Sequence, residues 1–292
     1  MKVALIQLAY SDDESVADRV TRVAGLVREQ RGHDLVVLPE LWAAGGFDYR
    51  HWAERAETTA GAIAEAMGEA AKDAGVTLLA GSIVETTPDG SGGPEGKNLW
   101  NTALLFDPTG GLVRTYRKIH RFGFGAGEPR LMEAGEELVL ADLPVAGGDG
   151  ADGADGADGV DGADGGTTVR AGISTCYDLR FPELYRAQLD RGARLFVIPA
   201  AWPRRRVDHW TLLAQARAIE NQCVVIACNT AGTHARHEMG GHSQVIGAAG
   251  EPLATAGLGE EVLSVDIDLA AIDLWRGQFP VLGDRRMPDH VR

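Results

Sequence analysis

Short apolar runs alternate with amphipathic stretches along almost the whole chain, and that rhythm admits few architectures. Residues 3–8 read as a strand, and Leu35-Val36-Val37-Leu38, set between His33-Asp34 and Pro39, as a second. Residues 76–84, 137–143, 170–175, 195–200, 223–228 and 262–267 repeat the pattern. Between them, residues 13–31 space Val16, Val20, Val23 and Val27 on one helical face, and 59–74 form another amphipathic helix that stops near Gly75. Residues 182–191 and 206–221 predict two more helices. Two hairpins are expected, 102–106 with 112–116 through Asp107-Pro108-Thr109-Gly110-Gly111, and 244–247 with 253–256 through Ala249-Gly250-Glu251-Pro252. Strands interleaved with helices, plus hairpins, predict a layered α/β protein with a mixed sheet. No composition shift marks a boundary, so one domain over 1–292 is expected.

One tract breaks the rhythm. Residues 147–166 repeat Gly-Ala-Asp, too short and proline-free for a collagen helix. Gly, Ala and Asp supply charge and no core, which predicts a disordered, solvated insertion between two strands. Its six aspartates account for part of the net charge of −14 and leave −8 for the rest. A surface of that sign repels nucleic acid and anionic membrane. No apolar run approaches the roughly 20 residues of a membrane helix. The opening Met1 to Gln7 meets Ser11-Asp12-Asp13-Glu14 too soon to be a signal peptide. A cytoplasmic protein is expected.

Three cysteines are too few and too odd in number for a disulfide framework. Cys223 and Cys228 share one predicted strand, and an offset of five puts their sulfurs on opposite faces, as structural core residues. Cys176 lies where a strand ends in a sharp turn before a helix, in Thr175-Cys176-Tyr177-Asp178-Leu179-Arg180-Phe181-Pro182-Glu183. Such a turn exposes a side chain at a sheet edge, aims backbone N–H groups around it, and the nearby helix start favours a thiolate; a buried core cysteine is the alternative. Glu40 follows an apolar strand in Leu38-Pro39-Glu40, a place where carboxylates line sites. Lys118 opens the long irregular segment that runs to about Gly135.

Taken together, a thiol, a carboxylate to move its proton, and a cation for an oxyanion furnish nucleophilic hydrolysis without metal or cofactor. His234, His237 and His242 lack the helical spacing of a zinc protease and read as a flexible glycine-rich loop.

These three blocks, with Asn101-Thr102, Ala201-Trp202-Pro203, residues 216–221 and Gly241-His242-Ser243 in the same order, resemble the nitrilase superfamily of carbon–nitrogen hydrolases from Val3 to about Pro280. The resemblance implies an α-β-β-α sandwich that pairs into a homodimer. It implies Glu40 as general base, Cys176 as the thioester-forming nucleophile, and Lys118 with the Tyr177 N–H as the oxyanion site. Glu128 matches a second glutamate of many members, with Glu133 as the alternative. The cysteine block and the Ala-Trp-Pro stretch, followed by His209-Trp210, are most similar to the ω-amidase and deaminated glutathione amidase branches. A small carboxylic amide is then the expected substrate, with Trp202 in the substrate site and Arg180, or one of Arg204, Arg205 and Arg206, as a carboxylate clamp. An aliphatic nitrilase, an N-carbamoyl amidohydrolase and a catalytically silent binding protein of this fold remain as alternatives.

Overall fold

Val3 and Leu5 point to one side of the first strand, Ala4 and Ile6 to the other, and all four are fully buried. A strand apolar on both faces needs cover on both. The computed structural model, which describes residues 1–146 and 167–286, supplies a second sheet on one side and helices on the other.

The elements run β1 (Lys2–Gln7), α1 (Val16–Arg28), β2 (Leu35–Val37), α2 (Ala62–Ala74), β3 (Thr77–Glu85), β4 (Trp100–Phe106), β5 (Leu112–Arg117), α3 (Glu128–Leu131), β6 (Val139–Pro144), β7 (Thr168–Ile173), α4 (Pro182–Asp190), β8 (Leu195–Pro199), α5 (Val207–Asn221), β9 (Val224–Cys228), β10 (Thr233–His234), β11 (His237–Glu238), β12 (Gln244–Ile246), β13 (Pro252–Thr255), β14 (Glu261–Asp266) and α6 (Ala270–Gln278). One six-stranded sheet has the order β14-β1-β2-β3-β4-β5, the other β13-β12-β9-β8-β7-β6. Each keeps parallel pairs at its centre and antiparallel pairs toward its edges. Leu5, Leu35 and Val37 meet Ala171, Val197 and Ile226 between the sheets. Helices α1 and α2 close the first sheet with Val23, Val27, Ile63 and Met67, and α4 and α5 close the second with Tyr185, Trp210 and Ala214. The expected α-β-β-α sandwich is the observed one.

Cys223 and Cys228 do face opposite ways. Cys223 lies in the core under α5, and the Cys228 thiol donates to the Ile6 and Val37 carbonyls between the sheets. Other expectations need correction. Helix α1 begins only after Ser15, whose hydroxyl accepts from the Asp18 N–H at 3.1 Å. Val16 and Val20 are half-buried, and Arg19 goes inward instead, because its guanidinium reaches the Trp42 and Ala43 carbonyls at 3.0 and 3.3 Å. The irregular stretch after Lys118 contains the short helix α3. Residues 233–238 form a hairpin rather than a flexible loop, with the His234 ring stacked on Tyr10 at 4.3 Å. Helix α6 was not anticipated, since Ile272 is its one fully inward residue. The tract at 147–166 lies outside the described residues. Its ends are adjacent, the Val145 N–H donating to the Thr167 carbonyl at 3.0 Å.

Candidate active site

Glu40 reaches the site because β3 lets its segment pass. A bulge interrupts the β3–β4 register between Leu79 and Ser82. At its centre Gly81 takes φ +68°, and a Cβ there would stand 1.9 Å from the Pro39 carbonyl oxygen. Glycine alone permits that crossing. Lys118 follows β5, its N–H bonded to the Asn101 carbonyl at 2.9 Å. Cys176 opens a 3-10 turn spanning Cys176–Arg180 after β7, and itself adopts φ 50°. Glu40 and Lys118 thus come from one sheet and Cys176 from the other.

All three side chains are buried, with Glu128 among them. The Lys118 ammonium donates to Glu40 Oε1 at 2.7 Å and to both Glu128 oxygens at 3.0 and 2.9 Å. Among the groups that act on the Cys176 thiol are the Glu40 carboxylate, the Lys118 ammonium and the Ala201 N–H. Burial pushes the Cys176 pKa well up, the Glu40 charge pushes it further, and Lys118 opposes both without prevailing. That direction favours the thiol, against the thiolate expected from a nearby helix start; α4 begins only at Pro182, beyond the turn. Burial also works against the Lys118 charge, but Glu128 and Glu40 outweigh it and hold the ammonium well above its ordinary pKa. The Glu128 carboxyl is raised by burial and by Glu40, against the pull of Lys118.

Beside Cys176 a narrow pocket is lined by Phe47, Phe122, Tyr177, Ala201 and Trp202, with Arg180 and Arg206. The Arg180 guanidinium lies 4.6 Å over the Trp202 ring and Arg206 5.2 Å over Phe122. Arg180 meets His209 Nδ1 at 3.3 Å, and burial and the neighbouring Arg206 lower its pKa. Among the described residues neither arginine has a carboxylate partner. Arg204 and Arg205 are exposed, and Arg204 pairs with Glu238. Glu133 is away from this cluster, accepting the Glu95 and Lys97 N–H groups.

Two residues of the site were given no role by sequence. Asn101, on β4, donates from one nitrogen to Glu40 Oε1 at 2.8 Å and to Glu128 Oε1 at 2.7 Å. A buried amide in the otherwise apolar strand Trp100–Phe106 was the available signal. Asp178 is fully buried and accepts from the Thr175 N–H, the Tyr116 hydroxyl, the His120 N–H and His120 Nδ1, at 2.8, 2.7, 3.0 and 2.8 Å. It ties the turn of Cys176 to the strand end that carries Lys118.

Residues 2–277 match the Carbon-nitrogen hydrolase family model. The chain belongs to the carbon–nitrogen hydrolase family. Within that family it is similar to a 2-oxoglutaramate amidase of Paenarthrobacter nicotinovorans, 41% identical over 98% of this chain and 90% of that one. It is also similar to the human omega-amidase NIT2, 32% identical over 98% and 95%. Among solved structures it resembles XC1258 from Xanthomonas campestris, a CN-hydrolase superfamily protein with an arsenic adduct in its active site, at TM-score 0.81 and 27% identity over 99% of this chain and 98% of that one. It resembles Saccharomyces cerevisiae Nit3, of branch 10 of the nitrilase superfamily, at TM-score 0.78 and 27% identity over 98% and 97%. The protein is a hydrolase of the nitrilase superfamily, an amidase acting on a carbon–nitrogen bond.

Proposed function

We propose that the enzyme hydrolyses the terminal amide of a small oxo- or dicarboxylic acid, in the manner of 2-oxoglutaramate. The observation that carries this is the pair Arg180 and Arg206: two guanidinium groups in the pocket that holds Cys176, without an acidic partner among the described residues, where burial and then Arg206 lower the Arg180 pKa. An uncompensated cation pair is costly unless a ligand brings the anion. The nature of the curated relatives supports the same substrate class.

In this reading Cys176 Sγ attacks the amide carbon while its proton passes to Glu40. Lys118 and the Tyr177 N–H hold the developing oxyanion. Glu40 returns the proton to the nitrogen, ammonia leaves, and a thioester remains. Water, deprotonated by Glu40, attacks the thioester; the acid departs and the proton returns to sulfur. Glu128 anchors Lys118. Three free cysteines fit a reducing cytoplasm, and Leu212 and Ile219, exposed seven residues apart on α5, fit pairing with a second copy.

Ammonia release from 2-oxoglutaramate, succinamate, deaminated glutathione, an aliphatic nitrile and an N-carbamoyl amino acid tests the proposal with wild type and Cys176→Ala. Release from an ω-amide, abolished in the variant, is expected. Release only from the nitrile or the carbamoyl compound overturns the substrate. Arg180→Met and Arg206→Met are each expected to raise KM for carboxylate-bearing amides roughly 10- to 100-fold, the worth of a hydrogen bond to a charged group, with little effect on propionamide. An equal effect on both amides removes the clamp.

A further inference from the structure

We propose that Asn101 is the positioning residue of the acid–base pair: its carboxamide gives one N–H to each glutamate and so keeps Glu40 in place to receive the Cys176 proton. This rests on Glu40 being the base.

The two glutamates share a single buried cation. Lys118 cannot neutralise both, and carboxylates so close repel. A proton bound to Glu40 would relieve the repulsion and remove the group that must accept from the thiol. Asn101 counters this without charge. Its Nδ2 lies 2.8 Å from Glu40 Oε1 and 2.7 Å from Glu128 Oε1, so one donor group bridges the two carboxyls and fixes them relative to each other. The side-chain hydrogen bonds from Lys118 and from Asn101 to Glu40 both land on Oε1. That leaves the other oxygen for the thiol. The Asn101 carbonyl also receives the Lys118 N–H, so one residue indexes base, cation and second glutamate together.

The chemistry explains the residue type. Only an amide offers two N–H donors on one nitrogen without a charge. A lysine at this place would make Glu40 too weak a base. A carboxylate would add a third negative charge to the cluster. The Asn101 Oδ1 is buried and has no partner, so the side chain is oriented by its donors alone. The titratable groups that Asn101 touches are Glu40 and Glu128, through its side chain, and Lys118, through the main chain; the same three act on the Tyr49 phenol, which burial and then the glutamates push up to about 12.

Asn101→Ala and Asn101→Asp are compared with wild type for kcat and KM against pH on 2-oxoglutaramate, and for the pH dependence of Cys176 alkylation by iodoacetamide, with alkylation assigned by mass spectrometry. Asn101→Ala is expected to lower kcat about tenfold or more, to leave KM within roughly twofold, to move the acid limb of kcat/KM up by about one pH unit, because an unsupported carboxylate keeps its proton longer, and to speed alkylation in that range, because a neutral Glu40 no longer raises the Cys176 thiol. Asn101→Asp preserves shape but exchanges donors for an acceptor, so it is expected to lose more than alanine. A merely structural asparagine predicts the reverse order and unmoved acid limbs, and that result overturns the proposal. If Asn101→Asp fails to fold, Asn101→Ser, which serves one carboxylate only, is expected to fall between wild type and alanine; a serine variant no better than alanine, with the acid limb in place, is likewise fatal. Full activity in Glu40→Gln would instead sink the assignment of the base, and alkylation still reads Asn101 if 2-oxoglutaramate is not turned over.

Discussion

The surroundings of Cys176 push its pKa up, although Lys118 and the Ala201 N–H pull the other way. Burial and the Glu40 charge raise the thiol, and Lys118 pulls it down. This separates two roles that are easily confused. Replacing Glu40 by Gln removes a like charge and a bond that favours the thiol, so the Cys176 pKa is expected to fall and alkylation at neutral pH to accelerate. Turnover is expected to drop by about 10²- to 10⁴-fold all the same, the contribution of a general base. Parallel measurement of iodoacetamide alkylation and of kcat checks it; a variant slowed in both would make Glu40 an ordinary electrostatic neighbour. At this scale the sequence disclosed Glu40, Lys118, Cys176 and Glu128, since each stands in a recognisable block. Asn101 and Asp178 also stand in matching stretches but received no role there, because Glu40, Glu128, Tyr116 and His120, which reveal their work, lie between 27 and 62 positions away. Arg206 could be told from Arg204 and Arg205 only once a pocket existed for it to line.

Among elements, those buried on both faces were the legible ones. Strands β1, β2, β8 and β9 are near-continuous apolar runs because a sheet lies on one side and helices on the other. Helix α6 and the hairpin β10–β11 were missed since they bury little and rely on particular contacts, such as Arg194 with Asp273 and His234 with Tyr10. The bulge of β3 was equally invisible, although it decides where Glu40 goes. Gly81→Ala tests it. A methyl group there would collide with the Pro39 carbonyl and sit at a φ that L-residues avoid. The expected cost is about 1–3 kcal/mol from the backbone alone, with Glu40 displaced. A fall in thermal midpoint together with a loss of kcat checks it, and a fully active, equally stable variant would show that the segment has another way through.

For the whole molecule, six of the acidic residues behind the net charge of −14 lie in one tract, residues 147–166. Val145 and Thr167 already close the β6–β7 pair. Replacing residues 147–166 by a two-residue Asn-Gly turn is expected to keep the hairpin, leave kcat, KM and thermal midpoint within error, and bring the formal charge from −14 to −8. Ion-exchange elution and kinetics read this directly; a loss of activity would make the tract part of the enzyme rather than a passenger.

The chemistry is also split across the two sheets. Glu40, Asn101 and Lys118 belong to the first, and Cys176 arrives on the second. On the ribosome, the base and the cation emerge long before the sulfur, and until the sheets dock the thiol has neither. With the roles proposed above, the fold is an interlock: a half-made chain is expected to carry no hydrolytic capability, and the onset of amide cleavage in a refolding experiment would time the closing of the sandwich.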